Sequence, residues 1–202
     1  MKQERTLSIE GKEYTLLISD EPQALLEAKA SGRAVLGCLD TGNGEGASRD
    51  FQGIPYVVPS MEYVTEELLE LILRRYLGLP WLIDETERLY IREFVKEDAE
   101  NIPEEEYGKE EEIFRDPDKL EVYIKNQYGF YEYGTWAVLK KSPSLLIGMA
   151  GVSNPNLPET ALQALPTLPD DLCWLELGYH IFKPYRKNGY ATEAAKAIPF
   201  IY

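Results

Sequence analysis

The stretch Leu175-Glu176-Leu177-Gly178-Tyr179-His180-Ile181-Phe182, followed by Arg186-Lys187-Asn188-Gly189-Tyr190-Ala191, decides how this chain is read. The first eight residues are an extended, largely apolar run, and Thr192 to Ile198 read as a helix. A strand that leaves through a basic, glycine-bearing turn into a helix makes an anion site. The turn's N–H groups and the free N–H groups of the first helical turn converge, and the helix dipole adds positive potential. Gly189 permits φ > 0 and a close backbone approach. Arg186 and Lys187 add charge, and Ala191 keeps the first helical turn uncluttered. Such a site suits a pyrophosphate.

Working outward, strand alternation puts Glu176, Gly178, His180 and Phe182 on one face, with Leu175, Leu177, Tyr179 and Ile181 on the other. Glu176 or His180 can accept a proton, directly or through water, and the sequence leaves both open. Glu193, one turn into the helix, suits the dipole there and reads as structural.

Composition sets the limits. The chain has 202 residues, 44% of them hydrophobic, enough to bury a core in one large or two small domains. A formal charge of −14 and a pI near 4.6 argue against nucleic acid or an anionic membrane as partner. They leave room for a cationic substrate. The two cysteines, Cys38 and Cys173, lie in apolar surroundings and are expected reduced and buried, as in a cytoplasmic protein. One histidine and no Cys-x-x-Cys spacing give no expectation of a metal. No leader-like segment and no run of membrane-spanning length stand out.

The front of the chain, residues 1–82, reads as a small α/β domain. A hairpin over residues 6–18 leads to a helix capped by Asp20, with Pro22 in its first turn and Gly32 as its stop. Strands are expected at Ala34–Leu39 and Ile54–Val58, and Thr65 caps a helix carrying Leu68, Leu69, Leu71, Ile72 and Leu73. The alternation implies a parallel sheet, a Rossmann-like half. The glycines of Asp40–Ser48 fit neither a dinucleotide nor a P-loop spacing and read as a surface loop. The apolar joint Leu79–Asp84, bearing Trp81, reads as a packed connection rather than a tether. Ile18-Ser19-Asp20, with its helix and Ala34–Leu39, resembles half of a haloacid-dehalogenase-type domain. It has no Asp-x-Asp motif, so no phosphatase activity is carried over.

In residues 83–202, strands are expected at Leu89–Phe94, Thr135–Leu139 and Ser144–Val152. Helices are expected after an Asp98 cap and over Leu120–Tyr128. Residues 93–121 hold thirteen acidic and four basic side chains. Ser153–Asp171 has no period.

Arg-x-x-Gly-x-Ala at 186–191 resembles the pyrophosphate loop of the GCN5-related N-acetyltransferases. Leu177-Gly178-Tyr179, Ala191-Thr192-Glu193-Ala194, Thr86 to Arg92 with Asp98-Ala99-Glu100, and Ile147 to Val152 are similar to the branch that acetylates ribosomal-protein N-termini. The resemblance implies a mixed-sheet α+β domain over 83–202 that binds acetyl-CoA as co-substrate. The pyrophosphate would lie on Arg186, Lys187, Asn188, Gly189, Tyr190, Ala191 and Thr192, and the pantetheine arm along Tyr179, His180, Ile181 and Phe182. It implies acetyl transfer to a primary amine of a protein N-terminus or small molecule by direct attack in a ternary complex. The acidic segment around Glu104–Glu106 and Glu110–Glu112 would line the acceptor side. The family's usual closing strands and helix do not follow Ala197–Tyr202. This sets three alternatives: a fragment, a fold completed by another copy across the open edge of Leu175–Phe182, or a CoA-binding module without turnover.

Overall fold

The computed structural model describes residues 1–40, 50–106, 112–131, 133–162, 164–169 and 172–198. Its contacts divide into two compact units, Met1–Trp81 and Leu82–Tyr202.

In the first unit, β1 (Lys2–Ile9) and β2 (Lys12–Ser19) form a hairpin with Lys2 opposite Ser19 and Ile9 opposite Lys12. Its two-residue turn has positive φ at both Glu10 and Gly11, 50° and 79°. That is the twist that matches flanking strands. Helix α1 (Pro22–Ala30) follows, then β3 (Ala34–Asp40) and β4 (Val57–Ser60), and then α2 (Glu66–Tyr76). The sheet order is β1-β2-β3-β4, antiparallel at β1-β2 and parallel thereafter.

Alternation along β2 sends Leu16 and Ile18 into a cluster with Leu69, Ile72 and Leu73 of α2. Leu17 goes to the other face, with Leu25 and Ala28 of α1. Thr65 caps α2, its Oγ1 accepting from the Leu68 N–H at 3.1 Å.

Two local expectations in this unit are corrected. Asp20 does not cap α1: Glu21 occupies the cap position without a side-chain bond, and the Asp20 carboxylate pairs with the Met1 ammonium. The expected strand at Ile54–Val58 begins at Val57, because Ile54 packs under α1 and Pro55 has no N–H to give a ladder. The glycine-rich segment lies outside the described residues beyond Asp40.

The second unit is an antiparallel sheet in chain order: β5 (Leu82–Glu85), β6 (Leu89–Arg92), β7 (Thr135–Lys140), β8 (Leu145–Ser153) and β9 (Glu176–Ile181). β5 falls where only a joint was expected; it pairs with β6 through Asp84 and Glu85. Between β6 and β7 come short 3-10 turns at Lys96–Asn101, Glu104–Glu106 and Glu112–Phe114. Helix α3 (Pro117–Tyr123), capped by Asp116, then runs into a π turn, Ile124–Tyr128. Asp98 is not a helix cap either. It takes a two-pronged bond from Arg92 at 2.7 and 2.9 Å and accepts the Val95 N–H at 2.8 Å.

These turns and α3 cover one face of the sheet around Phe94, Phe114, Leu120, Ala137 and Phe182. The other face holds Leu89, Ile91, Val138, Ile147 and Ile181 under α5 (Tyr190–Ala197), through its Ala194 and Ala197. Among its described residues the β8–β9 connection contains a four-residue helix, α4 (Glu159–Leu162). Cys38 is buried as expected, but Cys173 is exposed, because the segment around it belongs to neither core. Among the described residues no helix is long and apolar enough to cross a membrane.

Candidate functional site: a cavity at the end of the last strand

β9 is fixed to β8 with His180 opposite Met149 and Ile181 opposite Gly148, and the Phe182 N–H donates to Ile147 O at 2.8 Å. Two glycines permit this sheet. A Cβ on Gly148 would stand 2.3 Å from His180 O, and one on Gly151 would stand 2.1 Å from Gly134 O. That is the physical content of Ile147-Gly148-Met149-Ala150-Gly151: small residues where neighbouring backbones press close.

The chain leaves β9 through a 3-10 turn, Lys183–Tyr185, and then turns into α5 with positive φ at Lys187 (63°) and Gly189 (81°). The Glu193 N–H donates to Gly189 O at 3.0 Å. The amides of Tyr190 to Thr192 come before it and have no partner four residues back within the helix.

A cavity of about 440 Å³ opens here. The residues expected to hold the donor line it, except Phe182 and Asn188, and Tyr185 joins them. Phe182 is buried in the core on the α3 face. The Asn188 amide is turned back on its own loop, donating to Tyr185 O and Arg186 O.

The two proton-acceptor candidates are separated. His180 lines the cavity. Glu176 stands at the far end of β9, where its carboxylate accepts the Asn156 N–H at 3.2 Å.

Two residues outside the candidates for donor binding and proton transfer organise the site. Arg88, just before β6, donates from Nη1 to Asn188 O at 3.0 Å and pairs with Glu193 at 2.5 Å. Its guanidinium lies over the Tyr190 ring at 4.5 Å. The Glu193 carboxylate also accepts from Thr86 Oγ1 at 2.6 Å and from the Arg88 N–H at 3.0 Å. Burial disfavours its charge, but these donors and the Arg88 cation more than offset that and hold it below the usual carboxylate range. Arg88 and Thr86 lay inside a recognised motif. Nothing in their spacing tied them to a turn a hundred residues away.

The second is Glu106. Its carboxylate accepts the Lys183 N–H at 2.5 Å, pairs with Arg186 Nη2 at 2.7 Å, and stands 3.1 Å from His180 Nε2. Arg186 Nε donates to Ile181 O at 2.7 Å. Burial raises the Glu106 carboxyl, and the Lys183 amide, His180 and Arg186 together bring it below its ordinary value.

The donor set fits a phosphate-bearing group: a positive-φ turn, first-turn helix amides, and an exposed Lys187 beside a lined cavity. Among the described residues no group of three or more His, Cys, Asp or Glu side chains is placed to hold a metal ion.

A family model described as an acetyltransferase (GNAT) domain matches residues 88–199, more than half of the chain. The chain belongs to the GNAT acetyltransferase family, whose general chemistry is acetyl transfer from acetyl-CoA. No curated protein matches the sequence.

Proposed function

We propose that the second unit transfers the acetyl group of acetyl-CoA to a primary amine, that of a protein N-terminus or a small molecule, by direct attack within a ternary complex in the cytoplasm. The observation that carries this is the cavity of about 440 Å³ between the end of β9 and the first turn of α5, framed by positive φ at Lys187 and Gly189.

Acetyl-CoA supplies the thioester carbonyl. The protein supplies three things. Backbone amides from Lys187 to Thr192, with the Lys187 side chain, bind and orient the pyrophosphate. The edge of β9 at Tyr179–Ile181 aligns the pantetheine arm, and a β9 amide stabilises the charge that develops on the carbonyl oxygen. His180, on the cavity wall, takes the proton that the amine nitrogen must lose as it bonds to the acetyl carbon. Glu176, four residues away along the strand and outside the cavity lining, is the weaker choice for that role. The acidic segment around Glu104 favours a cationic acceptor.

The test is calorimetry with coenzyme A, followed by mass spectrometry of a panel of amines and N-terminal peptides incubated with acetyl-CoA. Heat of binding and a product heavier by one acetyl group are expected. Binding without any product would leave a CoA-binding module, and no binding would overturn the reading.

A further inference from the structure

The Glu106 side chain is only 4% exposed, although it comes from the most acidic stretch of the chain. A carboxylate is buried only where donors replace water. Here there are three, and each belongs to a different part of the site. The Lys183 N–H marks the end of β9, Arg186 opens the anion turn, and His180 lines the cavity.

The side chains of this cluster fix one another. Arg186 is held at Nε by Ile181 O and at Nη2 by Glu106 Oε2, at 2.7 Å in each case. His180 Nε2 lies 3.1 Å from the same Oε2 and 3.3 Å from Arg186 Nη2. Arg186 Nη2 donates to Glu106 Oε2 at 2.7 Å, the nearer of its two acceptors; a second donation to Nε2 at 3.3 Å would need a lone pair on that nitrogen and competes with the bond from Nε2 to the carboxylate. An ionised oxygen at 3.1 Å favours a proton, not a lone pair, on the ring nitrogen that faces it. A clamp that served only to hold the strand end would need Lys183 and Arg186 alone.

We propose that Glu106 is a positioning residue for acetyl transfer, holding the His180 ring against the cavity with its proton on Nε2, and that Arg186 serves as its counter-charge. The proposal rests on the reading of His180 given above. In the step it supports, the amine nitrogen bonds to the acetyl carbon and the carbon–sulfur bond breaks. The amine's proton passes to the imidazole, and the departing thiolate takes up that proton from the imidazolium, directly or through water, which returns the ring to its neutral form. The imidazolium formed on the way lies against the Glu106 carboxylate.

His180 is the single histidine of the 202-residue chain, so long-range proton–nitrogen NMR of the full chain reports on one imidazole. The unmodified protein at neutral pH should show the Nε2-protonated form. Glu106→Gln should shift the ring nitrogens towards a mixture of tautomers. An Nδ1-protonated ring in the unmodified protein, or identical nitrogen shifts in the variant, overturns the proposal. Should Glu106→Gln not fold, Glu106→Asp, shorter by one methylene, provides the same comparison.

In turnover, Glu106→Gln should lower kcat about tenfold or more while changing KM for acetyl-CoA less than about threefold. The double variant with His180→Ala should be no slower than His180→Ala alone. Independent, multiplying losses would mean that Glu106 does not act through the ring. If no amine is acetylated at all, the functional reading fails by itself, and the nitrogen spectra still decide whether Glu106 governs His180.

Discussion

At the scale of single residues, the turn into α5 depends on two unusual backbone angles and one arginine. Gly189 sits at φ 81°, where any side chain is strained, and a Cβ there would meet Arg88 Nη2 at 3.6 Å. Gly189→Val should therefore weaken coenzyme A binding about tenfold or more, read by calorimetry. Lys187 already bears a side chain at φ 63°. Arg88→Ala removes both the bond to Asn188 O and the partner of Glu193, and should lower the affinity for coenzyme A together with Tm. Because Glu193 is held below its unfolded value, its contribution to stability is full above about pH 4–5 and is lost as the pH falls through the folded value. Glu193→Gln should accordingly lower Tm at pH 7 and leave it nearly unchanged near pH 3; equal losses at both would refute the linkage. The turn itself was legible because positive φ, charge and helix entry follow from residue types in one short stretch. Asp20 and Asp98 misled the same reasoning. Each is a good cap by type, but each is drawn away by a cation that the local sequence does not reveal, the Met1 ammonium and Arg92.

At the scale of elements, β8 and β9 carry the site only because backbones can touch. Gly148→Ala would press a methyl against His180 O and the Ile181 Cα, so β9 must shift along its whole pairing. A loss of Tm and of cavity binding together is expected, and retained binding with full stability would show that the strand yields cheaply. Elsewhere in this unit, Tyr128 ends the π turn with its hydroxyl donating to Thr135 O at 2.6 Å and accepting the Phe94 N–H at 3.2 Å. Burial pushes its phenol well above the ordinary value, so it stays neutral. Tyr128→Phe strands both backbone groups and should cost about 1–3 kcal/mol in denaturant unfolding. The strands and α2 were readable from period and capping. β5 was not, since four residues ending in Asp84-Glu85 offer too little alternation to stand out from a joint.

At the scale of the whole molecule, the formal charge of −14 favours cationic partners, and much of it is concentrated in residues 93–121. Glu106 must be set apart from that field, because its charge is taken up by Arg186, Lys183 and His180. Glu104, whose side chain is 90% exposed, is the better probe. Glu104→Lys should raise KM for a cationic acceptor at low salt, with the difference shrinking as ionic strength rises. An unchanged KM would show that this segment is merely a solvated face. The Glu106 cluster could not be foreseen from spacing: Glu106 lies 74 to 80 residues from its partners and meets them only once the sheet has formed.

The pairing of Arg88 with Glu193 reaches across 105 positions. During synthesis, Arg88 leaves the ribosome before its partner is made, so this pair can fix the turn at 186–189 only once α5 has emerged. Closing so distant a contact costs chain entropy that local structure does not recover. The amides of Tyr190 to Thr192, which have no partner within α5, should exchange with deuterium quickly, whereas Glu193, bonded to Gly189 O, should exchange slowly and lose that protection in Arg88→Ala.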